Sequence, residues 1–316
     1  MLIDSHIHIA LNGIDISHTK EMDNRETKVA WIRKVLRGYK EKGIYILRDG
    51  GDAFGFSAIA REIAQEEGMI YRTPVYGLYK KGYYGTFIGK PVMGLEDFQT
   101  EFQDLMTQKP DHLKILLTGL VSFEQYGKIG ATAFTKKEMS YMKAAAHAQG
   151  IPVMVHANGS EGVQRAIDAG VDTLEHGYFM TERELQGLAE KDILWIPTLA
   201  PLGNLVDKQD NRFLKELPII EKTYLHHQNL IRRGLEIGVK IAIGSDAGAY
   251  GVPHGTGIFD EMNHMIKAGV GKEKVHEMTY TNGLKALAIC PEEIGTLLSG
   301  NKNFFYDACG IFWEGK

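Results

Sequence analysis

Cysteine is scarce in this chain: Cys290 and Cys309 are its two among 316 residues. A disulfide framework is therefore not expected, and a reducing, cytoplasmic location fits. Cys290 reads most simply as a small buried hydrophobe. Long apolar runs are also missing. No stretch approaches the roughly 20 residues of a membrane span, and no basic segment followed by a long apolar one opens the chain, so no secretory signal is expected. Blocks of like charge are absent as well. Thirty-six Lys and Arg stand against 40 Asp and Glu, a formal net charge of −4. That argues against nucleic acid or an anionic membrane as partner. What is present is ordinary globular composition, 44% hydrophobic and 24% charged, with 36 glycines gathered largely at the ends of apolar runs. Such a chain can bury a sizeable core.

The apolar runs alternate with segments of helical spacing. Strands are expected over Met1–Ala10, Ile44–Leu47, Ile70–Tyr79, Leu113–Leu117, Ile151–His156, Val171–Glu175, Ile193–Leu199 and Val239–Gly244. Helices are expected between them, among them Thr27–Lys42, Phe56–Glu66, Leu95–Thr107 and one from Thr135, a suitable N-cap, to Gln149. Strict βα alternation calls for parallel strands. Eight such units match a (β/α)₈ barrel, a fold of about 250 residues. The competitor, a doubly wound open sheet, lacks its Gly-rich dinucleotide fingerprint here. No internal linker is evident. Residues 1–290 are expected to form the barrel, and 291–316 a C-terminal extension packed on it.

The residues with chemistry gather at one end of these units. Asp4-Ser5-His6-Ile7-His8 lies in the first strand, where positions i and i+2 share a face, so His6 and His8 project side by side. Later strands carry or are followed by Lys114, His156, His176 and Asp246. In a barrel all six fall at the C-terminal face, where active sites lie. His6, His8 and Asp246 suit one divalent cation, and His156 and His176 a second. A lysine ammonium ligates nothing, but a desolvated Lys114 has a lowered pKa, and its free amine can add carbon dioxide. The resulting carbamate would be a carboxylate suited to bridging two metals. Asp4 is expected to orient His6 or His8, and Arg48 and Asp49 to form an ion pair beneath the site.

Six stretches together resemble the amidohydrolase superfamily of metal-dependent hydrolases. They are Asp4–His8, Leu47-Arg48-Asp49-Gly50-Gly51, His112-Leu113-Lys114-Ile115, Val155-His156-Ala157, Leu174-Glu175-His176-Gly177 and Gly244-Ser245-Asp246-Ala247-Gly248. The pattern is most similar to the imidazolonepropionase and prolidase-like branch. The resemblance implies two divalent metals, Zn²⁺ being the expected ion, bridged by carboxylated Lys114. It implies hydrolysis of a small-molecule amide, an N-acyl amino acid, a dipeptide or a cyclic amide, by a metal-bridged hydroxide, with Asp246 as proton shuttle and His176 or His254 at the oxyanion. The flanking β-sandwich usual in this branch is expected to be absent or vestigial, which leaves surface that a homo-oligomer would cover. Where prolidase-like relatives often carry a histidine after strand three, this chain reads Lys81-Gly82-Tyr83-Tyr84-Gly85. Long loops after strands three, four and seven are expected to form the specificity walls, with His254, Tyr84, Tyr126 and Arg72 as candidate substrate contacts. Two other readings stand beside this one. A mononuclear deaminase or cyclic-amidine hydrolase would need an acid closer to His156 than Glu161. A barrel that has lost its chemistry would serve only for binding.

Overall fold

The computed structural model describes residues 1–300; Cys309 and the expected C-terminal extension beyond residue 300 lie outside the described residues. Its strands are β1 (Leu2–Ile7), β2 (Ile44–Asp49), β3 (Ile70–Arg72), β4 (Gly77–Lys80), β5 (Gly89–Val92), β6 (Leu113–Leu116), β7 (Val153–Ala157), β8 (Thr173–His176) and β9 (Leu194–Ile196). All ladders are parallel, in two sheets: β1-β2-β3, and β5-β4-β6-β7-β8-β9.

The expected third strand, Ile70 to Tyr79, is broken into two pieces with different neighbours. Arg72 pairs with Arg48 of β2, whereas Leu78 pairs with Ile115 of β6. Between them Pro74 has no N–H to give a ladder, Val75 takes a positive φ of 66°, and the Val75 N–H donates to Thr73 Oγ1 at 3.0 Å. The two sheets thus meet through one continuous stretch of chain. β5 was not anticipated. It lies against β4 so closely that a Cβ on Gly89 would stand 1.7 Å from the Gly77 carbonyl oxygen, so glycine is required there.

The expected eighth strand, Val239 to Gly244, forms isolated bridges instead of a ladder: Trp195 to Ile241, and Ile7 to Ala247 further on. Backbone hydrogen bonds still run to both sides. Ala242 N donates to Trp195 O (2.9 Å), Ser5 N to Ile243 O (3.0 Å) and Asp246 N to His6 O (2.8 Å). A side chain replaces the next ladder bond, because the Asp4 carboxylate accepts from Ser245 N at 2.9 Å and Ser245 Oγ at 2.6 Å.

Helices pack outside the strands. Phe56–Glu66 and Leu95–Thr107 form over the expected ranges. Thr135 caps Lys136–Ala148 in a reciprocal box: Glu138 N donates to Thr135 Oγ1, and Thr135 N to the Glu138 carboxylate. Below the strands, Ile3, Ile46, Leu194, Ile196 and Ala242 meet Ala286, Leu287, Ile294 and Leu297 in an apolar plug. Helix Pro291–Gly300 therefore covers the end opposite the histidines. Cys290, expected to be buried, is exposed where the chain enters this helix. Among the described residues, no helix is long and apolar enough to cross a membrane.

The connection after β9, expected to be a polar loop, holds helix Ala200–Lys208, which lacks a side-chain cap from its own start. A remote carboxylate serves it: Ala200 N donates to Glu261 Oε2 at 2.6 Å. Burial pushes the Glu261 carboxyl up to about 8. A carboxyl whose folded pKa is raised holds its proton when the unfolded chain has lost it. Stability therefore falls as pH rises from about 4.5 through 8, by at most about 1.4 kcal/mol per unit. Glu261→Gln, which keeps an acceptor for Ala200, is expected to be more stable relative to the parent at pH 8 than at pH 5. Urea unfolding at both values checks this.

Candidate metal centre

His6 and His8 stand on the same face of the chain at the C-terminal end of β1. The His6 Nδ1 lies 2.6 Å from Glu175 Oε2 in β8. A carboxylate only accepts, so the ring proton is fixed on Nδ1 and the Nε2 lone pair is free. That Nε2 lies 3.4 Å from His8 Nε2 and 3.7 Å from Asp246 Oδ1, and His8 Nε2 lies 3.5 Å from the same oxygen. Ligand atoms of all three residues fall within 4.8 Å of one another. His8 reaches this position because residue 50 is glycine: a Cβ there would stand 2.3 Å from His8 Cε1. Asp246 has a φ of 58° and His176 of 67°. Non-glycine residues in that region carry strain, which tends to gather at functional sites.

Beside this trio, the rings of His156 and His176 have centroids 4.5 Å apart, and His176 lies 5.1 Å from His6. Thr198 Oγ1 holds His176 Nδ1 at 2.7 Å. Burial is the largest cause that drives His8 and His156 down to about 3 and His6 and His176 well below their ordinary value. All four imidazoles are therefore neutral at pH 7, the form that ligates metal. Lys114 is fully buried and its Nζ has no hydrogen-bond partner. Burial lowers its pKa to about 8. The convergent ring nitrogens and carboxylate oxygen, beside an orphaned buried amine, fit a divalent cation.

These placements correct several expectations. Arg48 pairs with Glu175 (2.9 and 3.0 Å), not with Asp49, because adjacent strand residues face opposite ways. Asp49 instead accepts from Ile9 N, Gly51 N and Ser57 Oγ. Asp4 ties β1 to Ser245 and the His6 backbone N–H; the acid that orients the His6 ring is Glu175. Glu175 was visible only as part of Leu-Glu-His-Gly, with nothing local to reveal its reach across to β1.

A cavity of about 470 Å³ opens above the candidate ligands, lined by His8, Lys114, His156, His176 and Asp246 at its floor. Tyr84 lines it, its ring 5.3 Å from that of His156. The other three candidate contacts are not among its lining residues. Arg72 reaches Glu293 and Asp111 at the opposite end of the strands. Tyr126 is held by His226 Nδ1 at 2.7 Å, under Lys222. His254 is bound by Leu11 O at 2.8 Å and Tyr39 Oη at 3.2 Å. Glu161 is exposed and pairs with Arg165, so it gives the site no additional acid.

A parallel α/β scaffold thus gathers His, Asp and Lys side chains that could hold a metal ion. The particular family follows from comparison: residues 2–302 match the model of the Amidohydrolase family, and the chain belongs to it. Curated relatives from Mycobacterium tuberculosis and Mycobacterium bovis, described only as uncharacterized proteins, are 30% identical over 134 residues. That match covers 41% of this chain and 36% of theirs, so it spans about a third of the relatives' length. Among solved structures, an Xaa-Pro dipeptidase with bound methionine is 25% identical, with a TM-score of 0.74 over 91% of this chain and 75% of that one. The ochratoxinase of A. niger is 17% identical, with a TM-score of 0.75 over 92% and 72%. The latter likeness concerns the fold.

Outer partners of a ligating histidine commonly contribute 10- to 100-fold in metal affinity. Glu175→Gln is expected to weaken the site by about that factor in competition with a chromophoric chelator. Arg48→Met leaves Glu175 buried without its cation and is expected to cost about 3–5 kcal/mol in urea unfolding.

Proposed function

We propose that this protein is a metal-dependent hydrolase of a C–N bond in a small-molecule amide. The convergence of His6, His8 and Asp246, with His8 and Asp246 lining the cavity, carries this reading. Family membership supports it, as does the likeness to an Xaa-Pro dipeptidase. We read the two sheets and the bridged segment 240–247 as one closed (β/α)₈ barrel whose C-terminal mouth holds the site. His6, His8 and Asp246 would hold one divalent ion, His156 and His176 a second, with carboxylated Lys114 between them; Zn²⁺ suits the donors.

When bound, such ions lower the pKa of water and polarise a carbonyl oxygen. The chain's own residues do the rest. Water adds to the carbonyl carbon, the C–N bond breaks, and acid and amine are released. Asp246 takes the proton from the water and passes it to the leaving nitrogen. Without a cation its carboxyl is pushed up to about 7, mainly by burial and against the pull of Lys114; a bound cation restores the carboxylate. Burial keeps the Tyr84 phenol protonated, so it offers an O–H donor to the carbonyl oxygen. Thr198 holds the His176 ring in place.

Protein prepared with bicarbonate and without chelator is expected to carry about two divalent ions per chain by elemental mass spectrometry, as in two-metal sites. Amide hydrolysis should disappear on chelation and return with metal. Asp246→Asn is expected to lower kcat by about 10²-fold or more. Lys114→Ala should lose both activity and metal; full activity in that variant would sink the bridging role. One ion per chain with ammonia as product would favour a deaminase.

A further inference from the structure

The cavity floor is polar, but its walls are not. Above the histidines they are formed by Phe87, Leu120, Phe123, Leu202, Leu205 and Phe213, with others of the same kind. These come from three separate segments. Residues 118–132 fold into a short flap closed by antiparallel bridges Thr118 to Thr132 and Val121 to Ile129. Its Phe123 meets Phe213 edge-on, centroids 5.4 Å apart, and so touches the segment after β9. The apolar surface continues outward: Ile14 is 64% and Leu120 54% exposed, and both line the opening.

No lysine or arginine stands in the walls of this chamber. Among the described lining residues Lys114 is the one lysine or arginine, and it sits on the floor among the candidate ligands. The acid at the rim, Asp15, is spent on the backbone of Ser17 and His18. Asn158 is committed too, accepting from Tyr178 N. Arg212 lies over the rings of Phe213 and Tyr250 but is not among the lining residues. A substrate carboxylate in the walls would lose its hydration and find no countercharge, a cost of several kcal/mol. A bulky apolar group would gain from the same walls.

We propose that the site takes an uncharged amide bearing a bulky aryl or alkyl group, in preference to dipeptides and other substrates with a free carboxylate. The inference rests on the hydrolase reading for the bond cleaved, but the ligand preference comes from the walls alone.

The test uses the metal-loaded full chain and two ketones with no scissile C–N bond, pentanophenone and 4-pentanoylbenzoate, which differ only in the carboxylate. Calorimetry is expected to show pentanophenone binding at least about tenfold tighter. Phe123→Ala should weaken it by about tenfold, the scale of one buried aromatic side chain, and Phe123→Leu should recover most of that. Equal or tighter binding of the benzoate overturns the proposal, as does unchanged binding in Phe123→Ala. The corresponding anilide, N-phenylpentanamide, then separates the two readings. Tight ketone binding without chelator-sensitive anilide hydrolysis would overturn the hydrolase reading and leave the ligand preference supported. Hydrolysis that favours the carboxylate-bearing anilide would overturn the preference and leave the hydrolase reading intact.

Discussion

The site depends on a chain of three buried groups: Arg48, Glu175 and His6. Each would be costly alone. Arg48 is nearly inaccessible and Glu175 fully so, and an unpaired charge at such depth is strongly destabilising. Together they satisfy one another. Arg48 donates to both oxygens of Glu175, to Ser5 O at 2.7 Å and to Thr173 Oγ1 at 3.0 Å. Glu175 in turn holds the His6 proton on Nδ1. The ion pair joins three strands, and its chemical output is a lone pair aimed at His8 and Asp246. Stability and ligand geometry are thus set by the same contacts.

The same economy appears at the seam between β9 and β1. A full ladder there would leave residue 246 in extended backbone. Instead Asp4 takes the Ser245 N–H and Oγ, and Asp246 turns into a left-handed conformation. Gly244 makes the approach feasible, since a Cβ there would lie 2.7 Å from His6 Cβ. The irregular strand is the means by which a third donor reaches the two histidines.

Above that rigid floor, chemistry and recognition are separated. Most candidate ligands sit within strands or just past them, and Asp246 on the bridged segment after β9. The walls come from connections, among them the flap that leans on Phe213. Such a division lets a wall residue alter ligand preference while the ligand atoms stay where the strands hold them.

Much of this was legible in the sequence because it is local. Strand periodicity places His6 and His8 on one face, and helix spacing and the Thr135 cap mark helices whose bounds fall within a few residues of expectation. Strand ends also marked Lys114, His156, His176 and Asp246, which the structure gathers around one cavity floor. The remainder required long-range contacts. Asp49 is adjacent to Arg48 in sequence, yet the partner of Arg48 is Glu175, 127 residues away. A third apolar run reads as one strand, yet Pro74 and two different neighbours split it. Of four candidate substrate contacts, Tyr84 faces the cavity while Arg72, Tyr126 and His254 find partners elsewhere. Sequence alone determined which residues could ligate and on which strands they ride, because backbone periodicity is a property of neighbours. Tertiary structure decided which acid orients them and which walls enclose them, because burial and pairing depend on residues the chain brings together only when folded.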